Sequence, residues 1–134
     1  MIILGLNAFH GDASACLVVD GILIAAAEEE RFRRVKHWAG LPTEAIRYCL
    51  EAGEINLSDI NRIAINRDPT SNAMRKALFA FTKNKSLTAV ANRLKNAAKI
   101  HNVRDEIAEH FGVPSDSIGA HIDNVEHHLA HLAS

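Results

Sequence analysis

The sequence predicts an α/β domain that begins with an antiparallel meander of three strands. Three apolar runs follow one another at the amino terminus, and Asp20-Gly21, a dipeptide typical of two-residue hairpin turns, joins the second run to the third. Later apolar residues recur at helical spacing and are interrupted by two further strand-like runs. A chain of 134 residues, 48% of them hydrophobic, suits one compact domain at most.

The meander is predicted from continuous runs of small and branched apolar residues, which favour buried strands. Its three strands are expected over residues 2–7, 13–19 and 22–27. The segment 31–38, which follows an acidic run, lacks a clean period. We therefore expect it to form an ordered loop that leaves the sheet.

Helices and two more strands are predicted in the rest of the chain. Leu41-Pro42-Thr43-Glu44 carries the signals of a helix start, and Gly53 those of a helix stop. The remaining predicted elements are a strand over 62–66, a helix over 72–82, helical spacing over 86–111 with a bend near 99–102, a strand over 117–122 and a helix beginning within 124–131.

Composition and charge argue against several classes of protein. A net charge of -1 gives no overall attraction to nucleic acid, and no run of about 18 apolar residues predicts a membrane span. The amino terminus also lacks the pattern of a secretory signal. We therefore expect a soluble, cytoplasmic protein with neither nucleic acid nor membrane as a partner. Cys16 and Cys49 are expected to be reduced core residues, because isolated cysteines do not make a disulfide framework.

The end of the chain predicts a continuation. A helix that begins near Glu126 has little more than two turns before Ser134, which is too short for stability without packing partners. We therefore interpret residues 1–134 as the truncated N-terminal part of a longer polypeptide.

Two groups of polar side chains lie beside the meander. In the first turn, His10 could accept a proton from a substrate hydroxyl and Asp12 could orient its ring. Alternatively, Asp12 and Ser14 close the turn through hydrogen bonds to their own backbone. In the second group, the basic residues of 31–36, ending at Lys36, form either an anion clamp or a solvated face paired with the preceding glutamates.

Two further groups lie later in the chain. Arg67 follows the fourth strand, where α/β sheets gather ligands, so it could reach the same pocket as the first turn or could pair with Asp68. His127 and His131 stand one helical turn apart and could bind one metal ion, whereas His128 points elsewhere. Histidines on a solvated helix are the alternative.

Three motifs together resemble the N-terminal region of the NodU/CmcH carbamoyltransferases: LGLNAFHGDASACLVVDG, AAAEEERFRRVKHWAGLP and VEHHLAHLAS. The resemblance covers essentially the whole chain. It implies the N-terminal half of an actin/sugar-kinase/Hsp70-like domain, with the meander joined to a mixed sheet that has flanking helices. It also implies that a YrdC-like domain belongs to the polypeptide and is absent from these 134 residues.

The resemblance implies transfer of a carbamoyl group to a hydroxyl of a small molecule, as in antibiotic or nodulation-factor biosynthesis. The donor would be carbamoyladenylate, made from carbamoyl phosphate and ATP. Some members have the histidine directly before Asp-Ala-Ser-Ala, whereas Gly11 intervenes here. The implied roles are a general base (His10), contacts to substrate or nucleotide (Asp12, Ser14, Lys36 and Arg67) and ligands of Fe(2+) or another divalent metal (His127 and His131).

A third metal ligand, an aspartate, would lie beyond Ser134, so this chain alone is expected to be inactive. The expected partners are the missing C-terminal part of the same enzyme and, in one arrangement, a second copy in a homodimer. Two alternatives stay open. One is a nucleotide-binding or threonylcarbamoyl-transferase-like module of the same architecture, and the other is a non-catalytic interaction fragment.

Overall fold

The computed structural model describes residues 1–9, 11–66 and 103–125. Within these segments, five strands form one sheet in the order β3-β2-β1-β4-β5. The strands are β1 (Ile2–Asn7), β2 (Ser14–Val19), β3 (Ile22–Glu28), β4 (Arg62–Ile65) and β5 (His121–Asn124). The first three pair antiparallel, whereas β4 pairs parallel with β1 and β5 pairs parallel with β4. The predicted α/β fold, an antiparallel meander joined to a mixed sheet with flanking helices, is therefore confirmed.

The hairpin between β2 and β3 has the backbone that its sequence predicts. Asp20 and Gly21 have φ angles of 50° and 85°, the left-handed geometry of the turn that matches strand twist. One irregularity follows in β3, because Leu17 lies opposite Ala25 while Val18 lies opposite Leu23. Ile24 is therefore an extra residue in β3, as in a β-bulge.

Two helices of the described segments, the second and the third, pack on one face of the sheet and enclose the core. The helices of the described segments are α1 (Glu30–Arg33), α2 (Thr43–Gly53) and α3 (Val103–Phe111). Alternate strand residues face α2 and α3, and apolar residues at helical spacing meet them. Buried members of this core are Leu4, Leu6, Leu17, Ala45, Ile46, Cys49, Ile63, Ile65, Val103 and Ile107.

The other face of the sheet carries small side chains in the middle of its strands. Gly5 pairs with Cys16 on one side and with Ala64 on the other, and Cys16 pairs with Ala26. These four residues keep some exposure, in contrast to their neighbours on the core face. The sheet is thus closed by helices on one face and lined by small groups on the other.

Two predicted boundaries are wrong, each for a local reason. Residues 31–38 do not form a continuous loop, because the backbone N–H groups of Phe32 and Arg33 donate to the carbonyl of Glu29 and begin α1. The fifth strand lies over His121–Asn124, and a 3-10 turn over Ser115–Ser117 takes the place of its predicted start.

Pairing with β4 sets these limits of β5, so Asn124 ends a strand and does not begin a helix. Arg62 of β4 donates to both carboxylate oxygens of Asp123 on β5, at 3.0 and 2.8 Å. This hydrogen bonding is the main reason that the pKa of Asp123 is lowered. The predictions for residues 67–102 and 126–134 lie outside the described residues.

Helix α2 ends where the sequence predicts, although the residue after its end is not the expected glycine. The left-handed residue is Glu54, with a φ of 52°, and Gly53 is the last helical residue. A Cβ on Gly53 would lie 2.5 Å from Cδ2 of Leu17 in β2. Glycine is therefore suited to this position because the helix end approaches the sheet closely.

Candidate functional site

A cleft of about 840 Å³ lies beside the carboxyl ends of the neighbouring strands β1 and β4. Its floor is made by the small residues Gly5, Cys16 and Ala64, which leave room above the strands. A Cβ on Gly5 would stand 2.6 Å from the Cys16 sulfur, so glycine makes space for that thiol. Burial raises the pKa of Cys16, and a hydrogen bond with the Gly5 backbone offsets this in part. The thiol is therefore mostly protonated at neutral pH and is poorly suited to act as a nucleophile.

A row of polar side chains borders the floor of the cleft. Asn7 pairs with Ser14 across β1 and β2, and Ser14 pairs with Glu28 of β3. Asn66 follows β4, and its backbone N–H donates to the Leu6 carbonyl. All four polar residues line the cleft. Hydrogen-bonding groups thus gather at the carboxyl ends of parallel strands, where sheets of this class bind ligands.

The two asparagines of this row are joined in a chain with a fixed direction. The carbonyl of Asp12 can only accept, so Asn7 presents its Nδ2 there, at 2.7 Å. Asn7 Oδ1 therefore faces Asn66, which donates from its own Nδ2 at 2.8 Å. The remaining atom, Asn66 Oδ1, is buried without a partner among the described residues. The chain ties the turn after β1 to the end of β4.

The turn between β1 and β2 is held at both ends by a second segment. The N–H of Phe9 donates to the Gly40 carbonyl at 3.0 Å, and that of Ala13 donates to the Trp38 carbonyl at 3.2 Å. Phe9 and Asp12 have φ angles of 65° and 63°, which non-glycine residues rarely adopt. These contacts are what hold the turn in its unusual backbone geometry.

Asp12 contacts a histidine of the opposing segment. Its Oδ1 lies 2.9 Å from Nδ1 of His37, and both side chains are largely exposed. The expectation that Asp12 orients His10 stays a prediction, because His10 lies outside the described residues. The described contact instead links the turn to the residue that follows Lys36.

Glu29 is fully buried, whereas Glu28 is exposed. The alternative of a solvated face paired with the glutamates therefore fails at Glu29, while its ion pair with Arg33 is as expected. Its carboxylate accepts the backbone N–H groups of Glu44 and Ala45 at 3.3 and 2.9 Å, at the start of α2. Pro42 occupies the N-cap position and has no side-chain acceptor, so Glu29 takes over this role from a distant part of the chain. Its negative charge also suits the positive end of the helix dipole.

Arg33 completes this network and links it to the turn. Its Nε lies 2.5 Å from Glu29 Oε1, and another of its nitrogens donates to Thr43 Oγ1 at 2.8 Å. Its guanidinium lies 4.4 Å from the centre of the Trp38 ring. Arg33 is thus engaged in the structure of this region and is not free to clamp an anion.

The structure brings some of the predicted site residues together. Ser14 lines the cleft, whereas Asp12 and Lys36 are exposed and are not part of its lining. The Lys36 ammonium has no ion pair or hydrogen bond among the described residues. The other predicted site residues lie outside the described residues: His10, Arg67, His127 and His131.

Sequence reasoning missed three residues of this region. Asn7 and Asn66 end two strands that prove to be parallel neighbours, and that pairing is the signal that would have placed them together. Glu29 has no local signal, because the N–H groups that it binds lie 15 and 16 residues later in the chain. In residues 1–9, 11–66 and 103–125, no group of three or more His, Cys, Asp or Glu side chains could hold a metal ion.

Residues 2–134 match a protein family described as "Carbamoyltransferase N-terminus". Nodulation protein NolNO of Sinorhizobium fredii is 39% identical over 129 residues, which cover 96% of this chain and 18% of that protein. Protein sll1178 of Synechocystis sp. is 33% identical over 138 residues, covering 98% of this chain and 22% of its own length. This chain therefore spans about a fifth of the length of these relatives.

Two further comparisons concern a shorter sequence match and a solved structure. A 19.2 kDa protein encoded in the syrM 5' region of Rhizobium etli is 50% identical over 58 residues, which cover 43% of this chain and 34% of that protein. The solved structure of YeaZ from Pseudomonas aeruginosa overlaps 94% of this chain and 45% of its own, with a TM-score of 0.43 and 16% identity. Among the described residues, no helix has the length and apolar character needed to cross a membrane.

Proposed function

Because this chain belongs to the carbamoyltransferase N-terminus family, we propose that the whole protein transfers a carbamoyl group to a hydroxyl of a small molecule. The donor is carbamoyladenylate, formed from carbamoyl phosphate and ATP elsewhere in the polypeptide. The observation that carries this proposal is the family match over residues 2–134. The cleft at the ends of β1 and β4 is the part of the described chain best suited to the transfer step.

The polar row and the turn beside it support this assignment. Ser14, Asn7 and Asn66 supply neutral hydrogen-bonding groups at the edge of the cleft. Such groups can orient a planar carbamoyl group without adding charge beside it. The small floor residues leave room for a substrate, and the turn is held by backbone hydrogen bonds to residues 38 and 40. A preorganised wall of this kind limits the motion of bound reactants.

In the proposed reaction, the acceptor oxygen forms a bond to the carbamoyl carbon and the bond from that carbon to the adenylate oxygen breaks. AMP leaves, and the proton of the acceptor hydroxyl passes to His10 as the general base. Lys36 and Arg67 offset the negative charge of the donor. The exposed and unpaired ammonium of Lys36 suits this role, because no ion pair within the described residues must be broken first.

His127 and His131 are proposed to hold a divalent metal, with Fe(2+) as the first candidate. Their spacing of four residues suits two imidazole ligands on the helix that the sequence predicts, and both lie outside the described residues. When bound, such an ion polarises the oxygens near the reacting carbonyl. No step of the mechanism given above depends on the ion.

The whole protein tests this function when it is supplied with ATP, carbamoyl phosphate and a panel of hydroxylated acceptors. A nodulation factor is the first acceptor to try, because one relative is named as a nodulation protein. We expect pyrophosphate release that requires carbamoyl phosphate, and an acceptor heavier by one carbamoyl group. Pyrophosphate release that needs no carbamoyl phosphate would contradict the proposed donor.

The role of Lys36 is tested with the same assay. Lys36→Gln should slow carbamoyl transfer to the acceptor about tenfold, because one charge-assisted hydrogen bond to the donor is lost. Arg34→Gln is the matched control, since it removes the same charge two residues away and is also exposed. An equal effect of both substitutions would point to general electrostatics and would remove the specific role of Lys36.

A further inference from the structure

One edge of the sheet carries an unusual amount of exposed apolar surface. Within the described residues β3 is the outer strand on that side, so one row of its backbone N–H and C=O groups has no neighbouring strand among them. Ile22, Leu23 and Ile24 are 67%, 61% and 42% exposed. Edges of this kind pair readily with other strands, and natural proteins cover them or protect them with charge.

The usual protections are weak along β3. The strand reads Ile-Leu-Ile-Ala-Ala-Ala-Glu, so its first six residues include no charge and no proline. The bulge at Ile24 is the one protective irregularity in its pairing with β2. An apolar edge with so little protection is expected to be covered in the working protein.

Further exposed apolar side chains lie beside the other end of β3. Phe32 of α1 and Tyr48 of α2 are 41% and 44% exposed, and their ring centres lie 5.7 Å apart. Val35 is 49% exposed shortly after α1. Together with Ile22, Leu23 and Ile24, these residues form what we call the β3 surface. A surface of this kind marks a site of protein contact more often than a solvated face.

The length of the relatives indicates what covers the β3 surface. This chain covers 18% of one relative and 22% of another, so about four-fifths of such a protein is further sequence. A segment of the same polypeptide meets the edge at high effective concentration, whereas a second copy must associate from solution. β5, the last described strand, lies at the opposite edge of the sheet. With neighbouring strands about 4.8 Å apart, that edge is roughly 19 Å away, a distance that a few extended residues can span.

We propose that an uncharged, apolar strand from the part of the same polypeptide after residue 134 adds to β3 and extends the sheet, with its flanking apolar side chains on Phe32 and Tyr48. The main-chain groups of β3 supply the binding, as in other cases of strand addition. The proposal concerns assembly of the whole protein, and because Phe32 and Tyr48 also line the cleft, the added strand would border the proposed transfer site.

Amide hydrogen exchange of the whole protein, followed by mass spectrometry, tests the proposal. Without an added strand, the amides of residues 22–28 that point away from β2 exchange within the dead time. With an added strand, nearly all amides of residues 22–28 are protected from exchange. The measurement is made at several dilutions, and light scattering reports the mass at each. We expect protection that persists in the monomer.

Two substitutions sharpen this test. Leu23→Lys places a charge on the β3 surface and should speed exchange of residues 22–28 at least about tenfold, the equivalent of one lost leucine contact. Ser58→Lys adds the same charge at an exposed turn and should leave that exchange unchanged.

Three results would overturn the proposal. Rapid exchange of the outward amides in the wild-type protein would mean that the edge is free. Protection that disappears as a dimer dissociates would assign the edge to a second copy. Equal exchange of residues 22–28 in the wild type and in Leu23→Lys would mean that the side chain of Leu23 has no apolar contact there.

Discussion

Glu29 shows how one residue can organise several others. Its buried carboxylate accepts two backbone N–H groups of α2 and contacts Arg33, which in turn lies against Trp38. Because the Trp38 carbonyl accepts the N–H of Ala13, the same residue supports the turn beside the cleft. A change at Glu29 should therefore affect helix α2 and the turn together.

Glu29→Ala should lower the free energy of unfolding by about 3 kcal/mol, near the lower limit for breaking a buried ion pair. The lower limit applies because the Arg33 side chain is 31% exposed, so its guanidinium can rotate into solvent when Glu29 is lost. Hydrogen exchange at Glu44 and Ala45 in the whole protein measures the loss of the cap. Glu51→Ala, at an exposed site of α2, is the control and should change stability by less than about 0.5 kcal/mol.

Asn7→Ala should slow carbamoyl transfer about tenfold and leave adenylate formation unchanged. The substitution removes the hydrogen bonds from Asn7 to Asp12 and from Asn66 to Asn7, so the turn and the end of β4 lose their link. Acceptor labelling measures transfer, and pyrophosphate release measures the first step. Asn124→Ala, at the exposed end of β5, should alter neither rate. A parallel loss of both steps in Asn7→Ala would indicate a general folding defect.

Cys49 should resist alkylation in the native protein. Burial raises its pKa to about 11, with a smaller contribution from the nearby Cys16, so very little thiolate exists at pH 8. Mass spectrometry after treatment with iodoacetamide should find Cys49 unmodified until denaturant is added. Fast native labelling of Cys49 would mean that α2 does not pack against the sheet as described.

At the scale of elements, the end of α2 depends on close approach to the sheet. Gly53→Ala gains up to about 1 kcal/mol of helix propensity, but a Cβ there meets the buried side chain of Leu17 at 2.5 Å. Overpacking in a core costs about 1 to 3 kcal/mol. We therefore expect a net loss of about 1 kcal/mol, measured by thermal unfolding.

Gly119→Ala is the matched control for this prediction, because a Cβ at Gly119 has no neighbour within 4 Å. Its midpoint of unfolding should equal or exceed that of the wild type. A Gly53→Ala protein as stable as Gly119→Ala would show that Leu17 moves aside without cost.

The sequence predicted elements whose signals are local, and it missed those set by distant partners. The meander was predictable because its apolar runs and Asp20-Gly21 carry their own signals. The limits of β5 could not be predicted from the sequence, because pairing with β4 determines them. The burial of Glu29 was also hidden, since the N–H groups that bind it lie 15 and 16 residues later. The link between Asn7 and Asn66 was missed for the same reason, because these two residues meet only through the parallel pairing of β1 and β4.

At the scale of the whole molecule, the family assignment predicts a metal site that this chain begins. His127→Ala and His131→Ala should each lower the metal content of the purified whole protein to less than about half, because a lost imidazole weakens a site of few ligands. Elemental analysis measures this independently of activity. His128→Ala should keep the metal, since its side chain is expected on another face of the helix. Unchanged metal in all three variants would remove this pair as ligands.

The order of the strands also bears on how the protein is made. The central strand β1 is synthesised before the antiparallel strands β2 and β3, and α2 follows them, all within residues 1–53. A nascent chain can therefore assemble this portion from contacts close in sequence, which form fast. β4 then adds to the free side of β1, whereas β5 joins only after 55 further residues, 66–120, have been synthesised. During that interval both outer strands of the growing sheet stay open, and a chaperone that binds exposed strand edges would have two places to act.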